Sequence, residues 1–224
     1  MKKTLLILTS AFALQTVSFA VTTTKPPDVG PSWHWLRPNG GTYVYADSFV
    51  APISGDVTSL GTWLGAQFED PTTTLLFQVW GSVGNNAASG PDAANVLASS
   101  SPVEGFSGPL TFYSAAALPA ISLLGGQTYW FVASAVGSTG SGSYFVGGHT
   151  QNSVYADNGT FWFSNDPAGV NFDGQSLTPE MAFSVTINGV PDAVGSASLL
   201  GIALFAICGL RFVTRNQNLL VGDC

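Results

Sequence analysis

The sequence predicts an all-β fold, an antiparallel β-sandwich, set between an N-terminal signal peptide and one C-terminal transmembrane helix. Three observations carry that expectation. Short runs rich in aromatic and β-branched residues recur with a period of two. Clusters of Gly, Asn, Asp and Pro separate these runs. Before Ala193 there is no long run of helical periodicity.

Residues 1–20 read as the signal peptide. Met1-Lys2-Lys3 is a basic start, an apolar stretch from Leu5 to Leu14 follows, and Ser18-Phe19-Ala20 offers small residues to signal peptidase. Cleavage is expected after Ala20. The competing reading is a buried N-terminal helix. Residues 21–41 are rich in Thr and Pro and read as an extended N-terminal arm.

Residues 42–189 form the sandwich. The first strand is expected at 43–50 and the second at 57–64. The third, at 74–83, shows the period most clearly: Leu75, Phe77 and Val79 face one way, Leu76, Gln78 and Trp80 the other. Further strands are expected at 95–98, 110–113, 128–135, 143–146, 160–164 and 181–187. Turn chemistry divides them at Gly84-Asn85-Asn86, Gly90-Pro91-Asp92, Gly125-Gly126, the Gly-rich 137–142, Asp157-Asn158-Gly159 and Asn165-Asp166-Pro167. The expected core is Phe49, Leu60, Leu64, Leu75, Phe77, Val79, Phe112, Leu123, Tyr129, Phe131, Phe161, Phe163, Phe183 and Val185, and Trp80 and Trp130 are also read as core.

Residues 190–215 read as a sorting signal with a transmembrane helix. Val190-Pro191-Asp192 is followed by an uncharged stretch from Ala193 to Leu210, then by Arg211 and Arg215. Such a helix would be roughly 27 Å long, just enough for a bilayer core of about 30 Å. The arginines would hold residues 216–224 on the cytoplasmic side as a short tail.

Composition limits the partners. Between residues 21 and 189, Lys25 and Arg37 stand against eleven acidic residues. That surplus of negative charge argues against nucleic acid and anionic lipid. Both cysteines, Cys208 and Cys224, lie outside this span. No disulfide can hold the domain, so its stability must come mainly from the apolar core.

The tail resembles the PEP-CTERM class of sorting signals in its Val-Pro-Asp variant, through Val190, Pro191, Asp192, the apolar run and the basic pair Arg211 and Arg215. Ala193-Val194 stand before Gly195-Ser196, where the variant usually places Gly and Ser or Thr at once, and the chain continues beyond the basic end. The resemblance implies processing by an exosortase, a membrane-embedded cysteine protease, and transfer to the cell surface of an organism that makes exopolysaccharide. Ala46-Asp47-Ser48-Phe49, the 75–80 strand and Leu123-Leu124-Gly125-Gly126-Gln127-Thr128-Tyr129-Trp130 are similar to the choice-of-anchor domains. That likeness implies a sandwich of jelly-roll type and a surface protein.

Catalytic chemistry finds little footing in the sequence. His34 and His149 are the only imidazoles, and no G-x-S-x-G elbow accompanies either. Glu69-Asp70 are adjacent and would point to opposite sides of an extended chain. A glycosidase would need one of them to converge with Glu104, Asp47 or Glu180. Asn165, Asp166, Asn171 and Asp173 crowd one loop and could offer oxygens to calcium, although the same residues also build metal-free turns. No other cofactor is expected. Trp33, Trp35 and Trp162 could stack on sugar rings, with Trp162 the best contact; burial against a sandwich is the alternative for each.

The expected function is that of an exported, non-catalytic surface or extracellular-matrix protein. Its role would be structural or adhesive and linked to exopolysaccharide. A carbohydrate-binding module, assisted by calcium, is the alternative, and a hydrolase is the third reading. The expected partners are signal peptidase, an exosortase-type protease, the membrane through the C-terminal helix, and exopolysaccharide. The expected location is membrane-anchored, then cell surface or extracellular once processed.

Overall fold

A computed structural model describes residues 19–24, 29–85, 89–104, 106, 108–119, 121–149, 161–176 and 180–189. The strands are β1 (Phe19–Thr24), β2 (Val29–Leu36), β3 (Val44–Val50), β4 (Gly55–Phe68), β5 (Leu76–Ser82), β6 (Pro91–Ser100), β7 (Thr111–Leu118), β8 (Ser122–Leu123), β9 (Thr128–Ser134), β10 (Ser143–His149), β11 (Phe161–Ser164), β12 (Gly174–Ser176), β13 (Glu180–Met181) and β14 (Phe183–Gly189). The described residues contain no α-helix; Val83–Asn85 form a turn of 3-10 helix. No helix among those residues is long and apolar enough to cross a membrane.

All pairs among the described strands are antiparallel. A path of hydrogen-bonded neighbours runs β1–β14–β4–β7–β6–β5–β9–β3–β11–β12. The long β4 pairs with β7 along one edge, and along the other with β14 and then β10; β2 lies beyond β10. β7 joins the two halves, because residues 111–116 pair with β4 while Ala117 and Leu118 pair with β6. The sheet curls so that β4 and β14 face β3, β5 and β9.

The core lies in that curl. Leu75, Phe77 and Val79 point inward, as the period of two requires, and meet Phe49, Leu60, Leu64, Phe131, Phe183, Val185 and Ile187. Phe131 of β9 stacks on Phe183 of β14 with ring centroids 4.9 Å apart, and Phe49 of β3 sits 5.9 Å from the same ring. These contacts lock one half of the sheet onto the other.

Several sequence expectations shift. Phe112 is not core; it is 42% exposed and packs on Trp63 across the outer face. Tyr129 and Phe163 are only partly buried at the edge of the core. Trp80 and Trp130 are buried, but in a second, smaller cluster on the outer face of β3, β5 and β9, with Val44, Ala46 and Val132. The period of two separates the faces and does not say which face meets the larger core. The arm contains two strands: β1 pairs with β14 and β2 with β10. Edge pairing satisfies backbone groups whatever the side chains, so a Thr- and Pro-rich stretch can join a sheet. β6 starts at Pro91, inside an expected turn, where the first strand position tolerates a missing N–H.

Candidate functional site

The acidic residues work chiefly as staples. Asp70 follows the end of β4. One carboxylate oxygen accepts from the N–H of Thr72 at 2.9 Å and from its hydroxyl at 2.7 Å. The other accepts from the N–H and hydroxyl of Ser141, at 2.6 and 2.9 Å. These bonds, the Ser141 N–H foremost, hold the Asp70 carboxyl well below the usual carboxylate range. Glu69 accepts from the N–H of Gly108 at 2.8 Å. The two neighbours therefore pin two different loops.

Asp47 is fully buried on the inner face of β3. Its carboxylate accepts from the Met181 N–H at 3.0 Å. Thr62, also buried, donates to the Ala182 carbonyl at 2.5 Å. Ala182 interrupts the run between β13 and β14, and these two polar side chains serve the backbone there. Asp47 is thus committed to the fold at that break.

In the 165–173 loop, Asp166 accepts from the Ala168 N–H at 3.0 Å with one oxygen. The other accepts from the backbone and side-chain nitrogens of Asn171, at 3.2 and 2.8 Å. These bonds, led by that from Ala168, lower its pKa. Asp173 accepts from the Asn165 N–H, and Asn165 Oδ1 accepts from the Thr42 hydroxyl at 2.8 Å. Asn, Asp and Gly here build a turn through their own hydrogen bonds. Among the described residues no group of three or more His, Cys, Asp or Glu could hold a metal ion.

Trp162 lies on β11, opposite Ala46 of β3 and Gln175 of β12. It is half-buried against the second cluster, edge-on to Phe172 at 6.3 Å. Gly90 approaches its ring so closely that a Cβ there would stand 3.1 Å away. Part of the indole is therefore covered. Trp33 and His34 lie on β2. Trp35 meets Phe145 edge-on at 5.6 Å, and the Arg37 guanidinium lies over its ring at 5.4 Å. His149 ends β10 in register with Glu180. Val190, Pro191, Asp192, Arg211 and Arg215 lie outside the described residues, as does most of the expected signal peptide.

A cleft of about 530 Å³ lies at one mouth of the curled sheet. β5 and β6 supply Gly81, Ser82, Asn95 and Leu97; β8, β9 and the turn between them supply Ser122, Leu124, Gln127, Thr128 and Tyr129. Ser82 accepts from the Trp130 indole N–H at 3.0 Å, and the Tyr129 hydroxyl accepts from the Leu124 N–H at 2.9 Å. Ser122 donates to Asp56. Sequence reasoning did not find this cleft, because Asn95 and Gln127 sit in unremarkable polar positions; only Gly125-Gly126 marked a turn nearby.

The chain matches no protein-family model, and no curated protein matches it.

Proposed function

We propose that this chain is an exported, non-catalytic protein of the cell surface or extracellular matrix, with a structural or adhesive role linked to exopolysaccharide. Its curled antiparallel sheet is read as a sandwich of jelly-roll type. Its ends are read as a signal peptide and a PEP-CTERM-like sorting helix, acted on by signal peptidase and an exosortase-type protease.

The observation that carries the non-catalytic part is the engagement of the acids. Asp47, Glu69, Asp70 and Asp166 each accept backbone N–H groups, from different parts of the sheet and loops. A glycosidase needs two carboxyls facing each other across a bond, about 5 to 10 Å apart, with one free to give up a proton. A carboxylate that staples a loop and is held ionised is poorly suited to that work.

Two epitope tags test the reading, one between β2 and β3 and one after Cys224, in the native host. The expected result is the first tag at the outer surface or in the medium, with the second lost. Both tags together in the inner membrane would replace the sorting reading with a permanent anchor. Deleting the gene should change cell aggregation or biofilm texture; unchanged texture across growth conditions would remove the adhesive role.

A further inference from the structure

We propose that the mouth cleft binds an uncharged saccharide, a short stretch of a neutral polysaccharide, through the carboxamides of Asn95 and Gln127. This deepens the adhesive reading and rests on it. At about 530 Å³ the cleft falls within the range of about 300–1,000 Å³ typical of ligand sites. Mouths of curled sheets are among the places where such sites form.

The lining sets the chemistry. None of its residues is charged. An anionic ligand would meet no cation there and would approach a domain with a surplus of negative charge. A cationic ligand would find no carboxylate in the lining. A carboxamide, by contrast, both donates and accepts. This is the complement of a sugar, whose hydroxyls also do both. Leu97, Leu124 and Tyr129 offer apolar surface for the C–H faces of the rings. Leu124 is 64% exposed, and the hydrogen bond from its N–H fixes the Tyr129 hydroxyl.

Asn95 is held ready for this role. A Cβ at Gly81 would stand 2.1 Å from its side-chain nitrogen, so glycine leaves the room that the carboxamide occupies. Asn95 is half-buried, and among the described residues no hydrogen bond is made by the side chain of Asn95 or of Gln127. A half-buried carboxamide without a protein partner is stabilised by whatever supplies one. A ligand hydroxyl does so.

The test is calorimetric titration of the full chain in detergent with short neutral oligosaccharides of glucose, mannose, galactose and N-acetylglucosamine, and with an oligouronate as the acidic control. At least one neutral sugar should bind saturably, and the oligouronate should not. Asn95→Ala and Gln127→Ala should each weaken binding at least about fivefold, the loss of one net hydrogen bond. Phe112→Leu, on the outer face away from the cleft, should leave it unchanged. If Asn95→Ala fails to fold, the exposed Gln127→Ala carries the test. A blank panel from a chain with a cooperative melting curve would overturn the inference, and so would binding that survives loss of both carboxamides. A blank panel with surface display and altered aggregation would end the saccharide site and leave the adhesive reading standing. Sugar binding by a chain that stays in the inner membrane and does not affect aggregation would do the reverse.

Discussion

At the scale of single residues, polar side chains in this fold are assigned to backbone. Asp47 is the clearest case. Aspartate is rarely fully buried, yet this one shares the inner face of β3 with Phe49 and lies beside the break at Ala182. Removing it strands a buried N–H, so Asp47→Ala should cost about 1–3 kcal/mol, and Asp47→Asn, which keeps an acceptor, should cost less. Urea unfolding of both variants checks this. Asp70 gives a pH-dependent counterpart. Its carboxyl is more acidic in the folded chain than in the unfolded one, where it titrates near about 3.9. The native state therefore gains from the ionised form above that value and loses the gain as pH falls below it. The stability gap between the parent and Asp70→Asn should be widest near neutrality and close in acid. A gap that stays constant down to acid pH would show that the charge is not what holds the loops. Among apolar residues, Phe183 touches both Phe49 and Phe131 across the curl. Phe183→Ala should cost about 3–5 kcal/mol, whereas the half-exposed Phe112→Ala should cost far less.

At the scale of elements, the outer face of β4 shows how glycine and aromatic positions are matched across strands. Gly61 and Gly65 flank Trp63 on that face. The ring of Phe112 from β7 lies over the first and that of Phe145 from β10 over the second, at 2.6 and 2.2 Å from where a Cβ would be. Gly65→Ala should push Phe145 out of place and disturb its contact with Trp35, costing about 1–3 kcal/mol as overpacking does. Thermal melts, with tryptophan fluorescence to follow Trp35, would register both effects. β1 matters for a different reason. Its first two residues, Phe19 and Ala20, lie on the leader side of the expected cut. A chain beginning at Val21 keeps the pairs from Val21↔Ile187 to Thr24↔Ser184. N-terminal sequencing of the exported protein should therefore find Val21, leaving most of β1 to cover the edge of β14.

At the scale of the whole molecule, the compact unit Phe19–Val190 is closed by strands from its two ends. β14, the last described strand, is inserted between β1, the first, and β4. Its inward residues Phe183, Val185 and Ile187 are fully buried. The unit cannot complete its core until that strand is present. A chain ending before Phe183 should lose cooperative unfolding altogether and be cut readily by protease. A truncated chain that still melts cooperatively would mean the core closes without its last strand. Such non-local pairing also makes folding slow, in the millisecond-to-second range of β-rich domains.

The sequence by itself determined the strand-rich character of the domain, which residues of β5 share a face and most of the core, because side-chain alternation is a local property with a fixed period. The proposed export and sorting signals at the two ends are likewise readings of the sequence alone. Only the tertiary structure decided which face of β5 and β9 meets the larger core, that the Thr- and Pro-rich arm contributes β1 and β2 to the sheet, and that Asp47 meets the break at Ala182. Those outcomes depend on which distant strand lies alongside, and strand pairing leaves no mark in the local pattern. The cleft belongs to the same category. Gly81, Asn95 and Gln127 are ordinary residues in their own segments, and they become a site only where the curl of the sheet brings β5, β6 and the β8–β9 turn to one mouth.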